Sequence, residues 1–467
     1  MTYTDVKGLP VSTTSAEALA AYEQGIDRFL RWHSGALQAL EAAVTHDPHF
    51  ALAHCARAYI AWRMGHVETG LAAHDQALAA ADHVRSEREH LHVQVVHALR
   101  QGESATALSL LEQLAAAYPT DRLAVRLLGL TYLAQGHYEG GIAVARRSLE
   151  ASPHDPQFQT MLGFFLEQAG YNDEGLALSR RALAQDPTNL YAYHAVGHAY
   201  QARGDYREAL ETFARAVSLE RYPHLLWHLA EAQAILGHEQ LTRAYWGSTT
   251  PPLPLHERVA LLWRLEVVRH RPAEEAIWEA LADEGERLLA HAPFLTVWMR
   301  HWIALALGRA GAMAKAQAQV ARLRQLPAGR ASGYWSTLGA DLLAGELAFI
   351  EGDVAGAVAR MAPAIAQLDT LGGGSREQKD IFRDVFLELQ RRLGNAEAVV
   401  ALAQQRLLAN PNHLPSLAAL VWAYGKLGHA ALQRQVCRQL VQRAEVTGVH
   451  PEAPELRTAQ QLLQQVP

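Results

Sequence analysis

The chain has 467 residues, too many for one compact core, so the sequence predicts several domains or an extended array of repeats. Its formal net charge of -6, from 42 basic and 48 acidic residues, gives no electrostatic pattern for binding nucleic acid or an anionic membrane. Hydrophobic residues make up 49% of the chain, with alanine and leucine dominant, and this composition favours helix.

The N-terminal residues lack the basic start and apolar core of a secretory signal. No apolar run approaches the roughly 20 residues that a membrane span needs. Cys55 and Cys437 lie at opposite ends of the chain, which excludes a cysteine-based zinc site and is typical of a reducing compartment. We therefore expect a cytoplasmic protein that binds neither nucleic acid nor a membrane.

The first predicted element is a helix from Ala16 to Trp32, which follows a cluster of hydroxyl residues that ends at Ser15. Ser15 is a good N-cap, and Glu17 suits the first turn of the helix. We expect the chain to be helical from this point.

A repeat dominates the next two hundred residues. Glycines follow helix-like segments at intervals of 34 residues, namely Gly102, Gly136, Gly170 and Gly204. This is the tetratricopeptide period, and the most regular unit also has a small residue at Gly197 and a bulky one at Phe213. Small residues let the two helices of a unit approach closely, while bulky residues fill the space between units. The sequence therefore predicts an all-α, superhelical tetratricopeptide-repeat solenoid of helix-turn-helix units.

The C-terminal half repeats less strictly. A Pro-rich run near residues 247–255 predicts a break in the helices. Inter-helix glycines then recur with irregular spacing, at Gly311, Gly352, Gly394 and Gly428. We predict an N-terminal repeat lobe over residues 1–250 and a degenerate helical lobe over residues 251–467, which ends in a capping helix.

Two histidine pairs carry the functional prediction, His194 with His198 and His224 with His228. Residues four apart stack on one face of a helix, so each pair directs two imidazoles the same way. In tetratricopeptide units helix A lines the concave surface, and the repeat register places these pairs on or next to it. If the two helices are neighbours, the four imidazoles converge.

The same register places His92 and His301 at the position equivalent to His194. Histidines from units far apart in sequence therefore face the predicted groove. This pattern predicts a histidine-lined concave pocket.

Five segments together resemble the tetratricopeptide repeat protein 38 family. They are Leu9–Ala18, Arg88–Val93, Tyr193–His198, His224–His228 and Gly373–Phe382, so the resemblance extends over nearly the whole chain. It implies the repeat fold and singles out the histidines above and Asp380, but it implies no reaction. The family has an acidic residue where this chain has Met299, which argues against a carboxylate from that place assisting His301.

One interpretation is a metal site. Neutral imidazole is a common ligand for zinc and iron, and an H-x-x-x-H pair supplies two ligands from one helix. The predicted cofactor is a transition metal, zinc or iron, held by the four paired histidines. Glu231 or Asp380 then serves as a carboxylate ligand or base.

A second interpretation is metal-free acid and base catalysis on a small molecule. The residues predicted to be catalytic in either case are His194, His198, His228, His301 and Asp380. The residues predicted to bind the ligand are His92, Tyr193, His224, Trp227, Glu231 and Trp298.

The third interpretation is a scaffold whose histidines only pack and form hydrogen bonds, while its groove binds a peptide or a partner protein. Our leading prediction is a tetratricopeptide-repeat protein that binds a peptide, a partner protein or a small molecule in its histidine-lined pocket. The alternative is an enzyme that uses the same histidines.

Overall fold

The computed structural model describes residues 3–238, 242, 253–290 and 295–465, and these residues form two compact units. Unit 1 holds the described residues up to Ala195 together with Leu295, and unit 2 holds the others. The helices of unit 1 are α1 (Ala16–Arg31), α2 (Ala36–His46), α3 (Ala51–Arg63), α4 (Val67–Ala79), α5 (Glu87–Gln101), α6 (Ser104–Ala117), α7 (Arg122–Ala134), α8 (Tyr138–Ala151), α9 (Pro156–Gln168) and α10 (Asn172–Gln185).

Helix α11 (Leu190–Arg203) begins in unit 1 and ends in unit 2. The further helices of unit 2 are α12 (Tyr206–Leu219), α13 (Pro223–Ile235), α14 (Leu255–Val267), α15 (Glu275–Ala290), α16 (Val297–Arg309), α17 (Met313–Arg324), α18 (Ala340–Ile350), α19 (Val354–Ala366), α20 (Arg376–Arg392), α21 (Ala396–Ala409), α22 (Leu414–Lys426), α23 (Ala430–Thr447) and α24 (Pro454–Gln464). The described residues contain an isolated β-bridge between Thr4 and Pro10 and no strand.

The turns between paired helices use glycine where the backbone is left-handed. Gly136 and Gly170, for example, have φ angles of 66° and 96°. Inside the pairs, glycine permits close contact: a Cβ on Gly163 of α9 would lie 2.3 Å from the Ser179 hydroxyl of α10. Helical pairs therefore recur as the glycine spacing predicts, and the predicted fold class, an all-α tetratricopeptide-repeat solenoid, is confirmed.

Helix α1 begins as predicted, with the Ser15 hydroxyl accepting a hydrogen bond from the Ala18 amide. It ends at Arg31, one residue earlier than predicted. Trp32 has a φ of 63° and packs against Tyr191, with ring centroids 5.1 Å apart. The predicted C-terminal capping helix is α24.

The Pro-rich break predicted for residues 247–255 falls mainly outside the described residues, since the structure describes only residues 253–255 of that run. The predicted lobe boundary near residue 250 also lies there and stays a prediction. Leu253 is buried, and Pro254 is the N-cap of α14.

Both cysteines are free thiols in buried positions, Cys55 in unit 1 and Cys437 in unit 2. Burial raises the pKa of each thiol above its usual value. Among the described residues, no helix combines the length and the apolar character that crossing a bilayer requires.

Candidate functional site

Three histidine rings of unit 2 bring their Nε2 atoms together. His198 lies on α11, while His224 and His228 lie one turn apart on α13. Nε2 of His228 is 2.9 Å from Nε2 of His198 and 3.2 Å from Nε2 of His224. The structure thus assembles three of the four paired histidines within unit 2.

Carboxylates orient two of these rings. Nδ1 of His198 is 2.6 Å from Oε2 of Glu377 on α20, and Nδ1 of His224 contacts Oε1 of Glu257 on α14. A carboxylate only accepts hydrogen bonds, so each Nδ1 carries the hydrogen and each Nε2 keeps its lone pair. Both lone pairs are then directed towards Nε2 of His228.

Aromatic side chains enclose the central ring. Phe213 stacks on His228 with ring centroids 5.1 Å apart, and Trp227 meets it edge-on at 4.8 Å. The Trp227 indole N–H donates to the Glu257 carbonyl at 3.0 Å, which fixes its position. His228 and His198 have no exposed surface, whereas the His224 side chain is 21% exposed, so solvent reaches the cluster from the His224 side.

Electrostatics keep the central ring neutral. Burial, reinforced by the neighbouring His198 and His224, lowers the pKa of His228 well below its usual value. Metals bind the neutral form of imidazole. Two histidine nitrogens on a tetrahedral zinc ion lie about 3.3 Å apart for Zn–N bonds of about 2.0–2.1 Å. The observed separations of 2.9 and 3.2 Å are close to that geometry.

The predicted site residues Tyr193 and His194 belong to unit 1, although they share α11 with His198. The His194 ring packs on Trp32 and Phe164, with ring centroids 4.5 and 5.6 Å away. Tyr193 is buried. The role of His194 as a further metal ligand stays a prediction.

Glu231 follows His228 by one turn and lies in a buried polar network. Its carboxylate accepts a hydrogen bond from Gln201 and pairs with Arg264 at 2.9 Å. Burial raises the pKa of Glu231 to about 7, although Arg264 and Gln201 oppose the shift. In the described part of the chain, the side chains grouped closely enough to share an ion do not include Glu231.

Two other predicted residues, His301 and Trp298, lie in an aromatic cluster of unit 2. Nε2 of His301 is 2.9 Å from Oε2 of Glu346, and the Trp263 indole donates to the same carboxylate at 2.9 Å. Trp298 meets Trp335 edge-on with ring centroids 6.1 Å apart. His301 is not one of the described histidines that converge. Its carboxylate partner, Glu346, lies on another helix.

The remaining predicted residues, Asp380 and His92, take part in ion pairs. Asp380 is 2.8 Å from Arg383 and 3.7 Å from Arg406, and these cations hold its pKa well below the usual range although burial opposes them. His92, in unit 1, contacts Asp121 at 2.8 Å through Nε2. In this structure both residues stabilise helix contacts.

Sequence reasoning missed the two carboxylates that orient the rings. Glu257 follows His224 by 33 residues, and Glu377 follows His198 by 179, so no local spacing connects them. One signal was available for Glu377, because it lies in the segment Gly373–Phe382 that carries the family resemblance. The resemblance singles out Asp380, three residues further on, and not Glu377.

Models of the tetratricopeptide repeat match three overlapping stretches, residues 93–156, 132–189 and 178–211. The repeats in residues 93–211 are tetratricopeptide repeats. The matched tetratricopeptide region runs from α5 into α12 and includes the 34-residue glycine spacing.

Solved structures with similar helical repeats include MamA and human IFIT1. A crystal structure of MamA is 17% identical over 32% of this chain and 86% of its own, with a TM-score of 0.27. A human IFIT1 dimer with m7Gppp-AAAA is 14% identical over 93% of this chain and 91% of its own, with a TM-score of 0.38. At these TM-scores the likeness carries no argument about what the tetratricopeptide units bind.

Proposed function

We propose that this protein is a metal-dependent tetratricopeptide-repeat protein in which His198, His224 and His228 bind a divalent transition metal. The supporting observation is the convergence of three Nε2 atoms, two of them on rings whose Nδ1 donates to a carboxylate. Metal-bound histidines characteristically have such carboxylate partners, which fix the tautomer and raise the basicity of the ligand. From the sequence resemblance, we also propose that the chain belongs to the tetratricopeptide repeat protein 38 family.

Zinc fits the donor set better than iron. The three imidazoles are the metal ligands in this proposal. The two nearby carboxylates, Glu377 and Glu257, accept hydrogen bonds from Nδ1 of His198 and His224 and are not metal ligands. Non-haem iron sites of the oxygenase type use two histidines and one carboxylate bound directly. A site with three histidines leaves a coordination position for water or a substrate, which is an arrangement that catalytic zinc sites use. We infer that the ligand is a small molecule bound beside the His224 ring.

The test is elemental analysis of untagged protein, purified without chelator and compared with two variants. In His224→Ala one ligand is lost, and because His224 is partly exposed the fold is retained. In His429→Ala an exposed histidine of the same unit is lost. We expect about one zinc per chain in the wild type and in His429→Ala, and most of it lost in His224→Ala. Equal metal content in all three after reconstitution with zinc, or none in the wild type, would refute the metal site.

A further variant, His194→Ala, separates an open site from a closed one. If His194→Ala keeps the metal, three histidines hold it and a position remains for a substrate, which supports a catalytic role. If the metal is lost while the fold persists, four histidines close the site. The metal would then be structural, and the enzyme hypothesis would fail.

A further inference from the structure

A segment at the start of the described chain, residues 3–14, lies across the helices of unit 1; we call it the strap. The Asp5 carboxylate accepts hydrogen bonds from the amides of Lys7 and Leu9, both at 2.9 Å, and so folds the strap into a compact loop. The Val11 amide closes this loop by donating to the Tyr3 carbonyl at 3.0 Å. The strap therefore holds its own conformation without belonging to a helix.

Polar contacts attach the strap to A helices from several repeats. Arg88 of α5 donates to Asp5 at 2.8 Å, and Lys7 pairs at 2.5 Å with Asp155, the N-cap of α9. The Val6 amide donates to Glu23 of α1 at 2.9 Å. These helices are far apart in sequence, so the folded loop of the strap contacts several repeats at once, as a bound peptide ligand would.

Hydroxyl groups complete the attachment. The Ser12 amide and hydroxyl both donate to the carboxylate of Glu89 on α5. The Thr13 hydroxyl donates to Asp47, which precedes α3, at 2.6 Å. We define the docking face by its charged side chains, Glu23, Asp47, Arg88, Glu89 and Asp155. It is acidic with one arginine, and the strap presents the complementary groups.

Each of these side chains also has a partner that is not in the strap. Arg88 also forms an ion pair with Asp121 at 3.2 Å, and Glu23 forms one with Arg122 at 3.4 Å. Glu89 accepts from the Ser86 hydroxyl at 2.9 Å.

The two aspartates are satisfied in the same way. Asp155 accepts from the Gln157 amide at 2.8 Å, and Asp47 accepts from the His49 amide at 3.0 Å. Release of the strap therefore leaves no buried charge without a partner, which would otherwise cost several kcal/mol.

The strap also buries little apolar surface. Val11 is its one fully buried apolar side chain, whereas Val6 is 62% exposed. A cleft of about 360 Å³ is lined by Val6 and Lys7 of the strap and by helix residues that include Arg122. Segments held by polar contacts with few buried apolar groups open at low free energy. The attachment thus has the character of a bound ligand and not of a core element.

We propose that the docking face is a peptide-binding surface that the strap occupies in cis. The external partner is a peptide that can fold into the same loop and carries an acidic residue, a lysine or arginine two residues later, and a pair of hydroxyl residues further on. Such a peptide binds by displacing the strap. This inference concerns unit 1 and does not depend on the metal site of unit 2.

The experiment uses the full-length chain and a synthetic peptide of residues 3–14 with a fluorescent label at its C-terminus. In the full-length double variant Asp5→Asn, Lys7→Ala the strap loses its two ion pairs, while the docking face is unchanged. We expect the peptide to bind this variant about tenfold more tightly than it binds the wild type, as measured by fluorescence anisotropy. A control peptide carrying the same two substitutions should bind each chain about tenfold more weakly than the unsubstituted peptide does.

Hydrogen exchange provides an independent measurement on the wild type. Excess peptide should accelerate exchange of the Leu9, Val11 and Ser12 amides of the strap without affecting the amides of α3. Absence of peptide binding to either full-length chain would overturn the proposal. So would strap amides that exchange only together with the core of α3, because the strap would then be a fixed brace.

Discussion

Whether an imidazole binds a metal depends on which ring nitrogen carries its hydrogen. In unit 2 the tautomers of His198 and His224 are set by Glu377 and Glu257, which lie on other helices. The positions of the histidines could be predicted, because residues four apart share a helix face. Their tautomers could not, because the two carboxylates approach only when distant helices pack.

Replacing Glu377 by glutamine tests the orienting carboxylate. The amide can still accept the hydrogen of His198 Nδ1, but without a charge, so the imidazole becomes a weaker donor to the metal. We expect zinc affinity to fall about 10- to 100-fold, measured by competition with a chromogenic chelator. Glu397→Gln, an exposed change on α21, is the control. Unchanged affinity in Glu377→Gln would argue against the orienting role.

His413 gives unit 2 a pH dependence that is separate from the metal site. Arg406 donates to its Nε2 at 3.1 Å, and its Nδ1 lies 2.9 Å from the Ser416 hydroxyl. Burial and the Arg406 cation lower the pKa of His413 to about 3. The folded protein therefore favours neutral His413, whose stabilising contribution is full above the unfolded pKa of about 6.5 and declines as the pH falls towards 3.

This linkage predicts that His413 makes the folded protein less stable in acid, and that replacing His413 removes this contribution. Between pH 7 and pH 5, His413 should account for a loss of about 2 kcal/mol in the free energy of unfolding. The variant His413→Asn keeps a side chain able to cap α22 but does not titrate, so it should lose correspondingly less. Urea unfolding of metal-free protein at the two pH values measures the difference. An identical pH dependence in both proteins would contradict the assignment.

At the scale of elements, the distance between paired helices is set by glycine. The 34-residue spacing predicted these pairs, because small and bulky residues alternate at fixed places in the repeat. It could not predict irregular connections such as the π-helical turn Trp335–Gly339 or the left-handed Trp32, since contacts with distant residues determine both. The local sequence pattern thus determines which helices pair, and tertiary packing determines the conformation of the irregular connections.

Gly197 shows the constraint most directly. A Cβ at Gly197 on α11 would lie 2.3 Å from the Phe213 ring on α12, which itself stacks on His228. We expect Gly197→Ala to lower the free energy of unfolding by about 1–3 kcal/mol, because the ring and its helix have to move. Gly425→Ala on α22 is the matched control, since its Cβ would meet only the flexible end of Gln433. Thermal unfolding should show little or no loss for the control, and equal losses would contradict the packing argument.

At the scale of the whole molecule, the two compact units contain different chemistry. Unit 1 holds the strap and its docking face, and unit 2 holds the converging histidines. The repeat pattern predicted histidines on the inner face of many units. Which of them meet depends on helices such as α14 and α20, whose arrangement no repeat register specifies.

Removal of the metal should therefore affect the two units unequally. A ligand that binds only the folded state stabilises it by about 4 kcal/mol at about a thousandfold excess over its dissociation constant. We expect chelation to raise hydrogen exchange in α13, α14 and α20 while α5 and α7 keep their protection. A uniform rise across all these helices would show that the units do not respond separately.

Each unit contains one buried thiol, and the rate at which that thiol is alkylated reports how fast the unit opens. Cys55 and Cys437 are inaccessible in the folded units, and their raised pKa values keep them protonated and unreactive. Alkylation of each sulfur then proceeds only as fast as its surroundings open. Mass spectrometry can count the two modifications separately, so the opening of unit 1 and of unit 2 can be timed in one sample without any engineered label.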